Sequence, residues 1–131
     1  MNTLLFYNGL VSGILPLLPQ GPRLGVIGGS VFMNRRSRAF CRALGAQLAT
    51  VDGLVVVTGG VSGVGEAVSD GYAAASAAAG AKPLLCHILP EGFKSVSPGI
   101  TINAGTTMKE RREILGRLAT TYLAVGGGAG T

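Results

Sequence analysis

From Gly21 onward, apolar runs and amphipathic runs alternate along the chain. Arg23–Gly29 (RLGVIGG) and Leu54–Gly60 (LVVVTGG) are short, rich in β-branched residues and stop at glycine pairs, so they read as buried strands. Lys82–Pro90 (KPLLCHILP), Gly99–Ala104 (GITINA) and Thr121–Val125 (TYLAV) predict three more. Between them, Asn34–Val51 sets Phe40, Leu44 and Leu48 at i, i+4, i+8, the stripe of an amphipathic helix. Gly65–Gly80 is alanine-rich and helical, Glu91–Pro98 is a loop, and Thr107–Ala119 is a further helix. Strands that are apolar throughout belong to a sheet covered on both faces, and strand–helix alternation implies right-handed parallel crossovers. The expected fold is therefore α/β: a Rossmann-like doubly wound parallel sheet of about five strands with helices on both faces, over residues 21–131.

Residues 1–20 (MNTLLFYNGLVSGILPLLPQ) stand apart as an apolar extension. Asn8, Ser12 and Pro16 interrupt it and no charged segment precedes it, which argues against a signal peptide or a membrane span. It is expected to pack on a neighbour or fray.

A chain of 131 residues, 47% apolar and 13% charged, is one globular domain rather than a disordered tail or coiled coil. Two cysteines, Cys41 and Cys86, give no disulfide framework and fit buried thiols of a reducing compartment, hence a cytoplasmic setting. With the single His87 they offer no metal-ligand spacing, so neither a metal nor a resident cofactor is expected. The net charge is +5, and Arg35, Arg36, Arg38 and Arg42 cluster. No aromatic residues interleave with them and tryptophan is absent, which removes a nucleic-acid stacking platform. Arg35, Arg38 and Arg42 lie opposite the predicted apolar stripe and read as a solvated face, with Arg36 nearer the apolar side. Anionic small molecules remain as partners.

Twenty-two glycines change the picture, because three clusters fall where the carboxyl ends of strands must be. These are Gly28-Gly29-Ser30, the turn Gly59 to Gly65 with Gly60 and Gly63 inside it, and Gly126 to Thr131 with Gly127, Gly128 and Gly130. Ligands of open parallel sheets bind at that edge, and glycine lets bare N–H groups approach an anion. Neither a GxGxxG fingerprint nor a P-loop is present.

The last predicted helix carries the sharpest signal. At 100° per residue, Arg111 and Arg112 fall within the stripe of Met108, Leu115, Leu118 and Ala119, whereas Lys109, Glu113 and Arg117 lie outside it. Arginines facing a core near a helix N-terminus need an anion, either an internal acid such as Glu66 or Asp70 or a bound phosphate or carboxylate. Cys86 and His87 are adjacent in a strand and point to opposite faces, so they form no dyad, and His87 reads as a core histidine bonded to backbone. Glu66 reads first as an acid complementing its helix dipole.

TGGVSGVGEAV after the second strand, MKERREIL on a helix and VGGGAGT after the last strand together resemble the SLOG superfamily. That group holds the Lonely guy proteins, long mislabelled lysine decarboxylases, and their Rossmann-fold nucleotide-binding relatives. The resemblance covers about Leu24 to Thr131. Met108 and Arg111 match its Met-x-x-Arg pair, with Arg112 where lysine is usual. Gly127, Gly128, Gly130 and Thr131 match its Gly-Gly-x-Gly-Thr, and Gly59, Gly60, Gly63 and Glu66 match its second-strand turn. It implies a nucleotide or nucleotide-like phosphate ligand, AMP-like, held at the glycine turns, and a homodimer. In enzymatic members it implies hydrolysis of the N-glycosidic bond of nucleoside 5′-monophosphates, with the arginine and a glutamate beyond Gly-Thr acting at the ribose. The sequence ends at Thr131, before that glutamate and the helix carrying it, so it reads as lacking the family's C-terminal portion. Holding a ligand without turnover is therefore the first expectation. Phosphoribohydrolase activity, with Arg111 and at a stretch Glu66 as catalytic residues, is the alternative. A carrier of molybdenum cofactor is the third.

Overall fold

The computed structural model describes residues 3–32 and 34–126. Its sheet has five strands, β1 (Arg23–Gly28), β2 (Val55–Thr58), β3 (Leu85–Leu89), β4 (Ile100–Asn103) and β5 (Thr121–Val125). The strand order is β4-β3-β2-β1-β5 and every pairing is parallel. Helices α2 (Arg35–Leu48) and α3 (Val64–Ala78) cross between the first three strands, and α4 (Met108–Leu115) connects β4 to β5. The expected α/β doubly wound fold is what the chain adopts. After β4 the chain returns past β1, so strand order reverses between β1 and β5, which is where such sheets open a ligand crevice.

Side-chain alternation divides the core into two layers. Val55, Val57, Cys86 and Ile88 face Ile114 and Leu118 of the α4 side. Val26, Val56 and Leu85 face Cys41, Val64 and Val68 of the α2–α3 side. All residues of β2 and β3 are buried, as their unbroken apolar runs require, while β5 at the edge is only half covered.

Residues 1–20 gave no predicted element, yet Thr3–Ile14 is a helix, α1, followed by one 3-10 turn at Leu15–Leu17. Tyr7, Ile14 and Leu18 are buried in the α4-side core. The segment has no charge and little amphipathic period of its own, so only tertiary contacts order it.

The core face of α2 also differs from its predicted stripe. Phe40 is 60% exposed, while Cys41 and Gly45 are buried and Leu44 and Leu48 half-buried. The reason is glycine at a helix crossing. A Cβ on Gly45 would run into the Val68 carbonyl of α3, and one on Gly71 into the Arg42 carbonyl of α2. The two backbones touch there, which fixes the rotation of α2 and turns Phe40 outward. Arg38 and Arg42, on the expected solvated face, meet Glu66 at 3.5 Å and Asp70 at 3.9 Å across the same crossing.

Candidate functional site

A cavity of about 720 Å³ opens between β1, β5, the turn after β2 and α4. Gly28, Gly29 and Ser30 form one wall and Gly59 and Gly60 another. Met108, Arg111 and Arg112 reach it from α4. Residues predicted from three separate segments thus meet at one rim. Gly63 and Glu66 lie beside it, in an adjoining shallow depression of about 450 Å³ that shares Ser30 and Ser62. Gly127, Gly128, Gly130 and Thr131 are outside the described residues.

Helix α4 aims Arg111 because its start is fixed. The Thr107 hydroxyl accepts from the Glu110 N–H at 3.1 Å, and the Glu110 carboxylate accepts from the Thr106 N–H at 2.9 Å and hydroxyl at 2.6 Å. These hydrogen bonds hold the Glu110 carboxyl below its usual pKa. The phase so fixed buries Arg111 beside Ile114 and Leu115. It leaves Arg112 exposed and Met108 partly so.

Arg111 is 9% exposed and its Nε has no hydrogen-bond partner among the described residues. One terminal nitrogen contacts the Met108 sulfur at 3.8 Å, and the guanidinium lies so close over Gly59 that a Cβ there would sit 2.5 Å from Nη1. Burial, and then the neighbouring charge of Arg112, push its pKa down, but a guanidinium stays charged at neutral pH. The internal acids that were to compensate it are engaged elsewhere. Glu66 and Asp70 face Arg38 and Arg42, and Glu113 pairs with Arg117 at 2.8 Å. Among the described residues no carboxylate lines the cavity.

The glycine turn lies directly against this cation. Gly63 caps α3 with φ +105°, and the Val64 N–H donates to the Gly29 carbonyl at 3.0 Å, which joins the first two glycine clusters. No side chain caps α3, whose first turn carries Glu66, and Ser62 and Gly65 at its start line the cavity.

Behind the turn, His87 is fully buried. Its Nε2 donates to the Pro98 carbonyl at 2.6 Å, so its Nδ1 accepts from the Thr58 hydroxyl at 2.6 Å. The Thr58 oxygen in turn accepts the Gly60 N–H at 3.0 Å. The expected backbone bond of His87 is present, but its link through Thr58 to the glycine turn is not visible in the sequence, because those residues meet only through β2–β3 pairing. Burial lowers the His87 pKa and keeps the ring neutral.

A family model described as the SLOG cluster4 family matches residues 22–131. The chain belongs to the SLOG cluster4 family. Solved structures agree with the fold of this SLOG protein. The X-ray structure of the structural-genomics target TM1055 is 30% identical with a TM-score of 0.69, covering 84% of this chain and 64% of that one. The Moco carrier protein from Chlamydomonas reinhardtii is 27% identical with a TM-score of 0.68, covering 85% and 65%. The molybdenum cofactor binding protein from the phototrophic bacterium Rippkaea orientalis is 28% identical with a TM-score of 0.69, covering 85% and 66%. The SLOG chain therefore spans about two thirds of the length of these neighbours. No curated protein matches it. Among the described residues no helix is long and apolar enough to cross a membrane.

Proposed function

We propose that this SLOG protein holds a phosphorylated small molecule in the cavity and does not turn it over. One observation carries the reading: among the described residues, Arg111 is a buried cation with an unsatisfied Nε, poised over the bare backbone of Gly59 with no acid lining the cavity. An unsatisfied buried charge is destabilising, and a phosphate monoester would satisfy it while the glycine turns and the start of α3 supply further N–H groups. Hydrolysis of an N-glycosidic bond needs a carboxylate near the oxocarbenium-like sugar, and the absence of one among the described lining residues favours holding over turnover.

Two ligand classes fit an anion-binding pocket of this size. A nucleoside 5′-monophosphate is the first. A phosphorylated pterin of the molybdenum cofactor type is the second, favoured by the cofactor-carrying neighbours. For either class, Arg111 and the glycine turns would hold the phosphate. A homodimer closing over the exposed Leu5 and Leu17 of the α1 region is part of this reading, and a monomer by light scattering at micromolar concentration would remove it.

Calorimetric titration with AMP and with a phosphorylated pterin, followed by chromatography for free adenine, tests the function. Binding without adenine release, lost in Arg111→Ala, is the expected result. Adenine release would establish a phosphoribohydrolase instead, and heat that is unchanged in Arg111→Ala would remove the arginine from the site.

A further inference from the structure

Gly60 is held from both sides, and the two holds meet in one residue. Its N–H donates to the Thr58 hydroxyl at 3.0 Å, and its carbonyl accepts from the Val96 N–H at 3.4 Å. His87 joins both sides, through Nδ1 to the Thr58 hydroxyl at 2.6 Å and through Nε2 to the Pro98 carbonyl at 2.6 Å, two residues beyond Val96. The ring thus closes a circuit from β2, through the turn, to the segment before β4 and back. Every direction in it is forced. A carbonyl only accepts, so Nε2 carries the proton, Nδ1 accepts from Thr58, and the Thr58 oxygen is left to accept from Gly60.

This circuit lies directly behind the cavity. Gly59, Gly60, Val61 and Ser62 line the cavity, whereas Thr58, His87, Val96 and Pro98 do not. Gly60 has φ +71°, and a Cβ on it would come 2.9 Å from the Leu89 side chain and 3.1 Å from the His87 Cβ. The turn therefore presses on β3 as only glycine allows. With both backbone groups engaged inside the protein, Gly60 has no N–H left for an anion. What it fixes is the course of the chain on either side, with Gly59 under the Arg111 guanidinium and Val61 and Ser62 on the cavity wall.

We propose that His87, acting through Thr58 and Pro98, is a positioning residue for the anion site: its neutral ring holds the Gly59–Ser62 turn in the shape that receives a phosphate against Arg111. The inference rests on the phosphate reading above and deepens it by naming residues outside the cavity that set its affinity. A turn held rigid before the ligand arrives loses less freedom on binding. Loosening it costs affinity without removing any group that touches the ligand, and by the reciprocity of linkage a bound phosphate is felt at the buried ring.

The test titrates the full chain with inorganic phosphate, AMP and a phosphorylated pterin. Thr58→Val keeps the side-chain shape and loses both hydrogen bonds, and it should weaken every probe that binds the parent by about tenfold or more. Thr58→Ser should restore the affinity. Gly53→Ala, before the far end of β2, should cost stability and leave affinity unchanged. In the parent, nitrogen-15 NMR should show the His87 ring nitrogens and the Gly60 amide shifting as the probe saturates, a readout that holds even if Thr58→Val fails to fold. Affinity unchanged in Thr58→Val but abolished in Arg111→Ala overturns the positioning role and leaves the phosphate site standing. His87 resonances that stay fixed at saturation overturn it too, as does an equal loss of affinity in Gly53→Ala. Binding of no probe to the parent overturns both readings.

Discussion

The Thr58 hydroxyl and the His87 Nδ1 stand 2.6 Å apart in the fully buried layer between β2 and β3. Their contact carries a hydrogen-bond chain from the Gly60 amide, through threonine and imidazole, to the Pro98 carbonyl. The chain closes only when His87 is neutral with its proton on Nε2. Protonated Nδ1 would face Thr58 as a second donor, and the hydroxyl that receives the Gly60 N–H would have to turn.

The pH dependence follows from that tautomer. Burial lowers the His87 pKa from its usual 6.5, so below about pH 6.5 the unfolded chain takes up a proton that the folded protein refuses. Stability should be level above that value and fall as the pH drops through it, until the lower folded pKa is passed. Thermal melts at pH 7 and pH 5 should show the loss, and His87→Gln should flatten the difference between them. An equal pH dependence in the variant would exclude His87 as its source.

Arg111→Met should separate stability from binding. Methionine keeps much of the apolar stem and removes a buried charge without a hydrogen-bond partner for Nε, which should stabilise the ligand-free protein by about 1–3 kcal/mol. Phosphate-ligand affinity should fall at least tenfold in the same variant. Chemical denaturation alongside titration reads both. A destabilised variant would mean that the guanidinium is satisfied in the free protein.

The crossing of α2 and α3 should not tolerate a methyl group. Gly71→Ala places a Cβ into the Arg42 backbone carbonyl, and forcing the helices apart costs about 1–3 kcal/mol or more. Gly53→Ala meets no atom but sits at φ +71°, so it should lose about 1 kcal/mol through backbone strain alone. Urea midpoints of the two variants rank them, and a Gly71→Ala protein as stable as the parent would contradict the close approach.

Thr107→Ala removes the cap of α4, whose hydroxyl accepts the Glu110 N–H. A loss of about 1 kcal/mol is expected. Because the same cap sets the phase that aims Arg111, ligand affinity should drop as well, and Thr107→Ser should restore both. Affinity unchanged in Thr107→Ala would show that α4 is held by its packing alone.

Cys86 is fully buried, and burial pushes its thiol up to about 11. Cys41 is buried and its pKa is raised for the same reason. Thiolate is the reactive form, so neither should react with a disulfide reagent until the protein unfolds. Rapid labelling of the native protein would disprove this.

Among the described residues, the sequence by itself determined the five strands, three of the four α-helices and the parallel architecture, because the strands of a buried sheet must be apolar throughout and their crossovers must be amphipathic. It also marked Arg111, since an arginine on an apolar stripe is a local contradiction visible in the helical period. Tertiary structure decided what depends on contacts between distant segments. Helix α1 exists by packing on the α4-side core, and Phe40 faces solvent because Gly45 and Gly71 set the rotation of α2. His87 reaches the glycine turn through strand pairing with Thr58, and Tyr122 meets Gly25 across β1 and β5. Each of these depends on which chain segments become neighbours, and hydrophobic periodicity reports only which side of an element is buried, not what it is buried against.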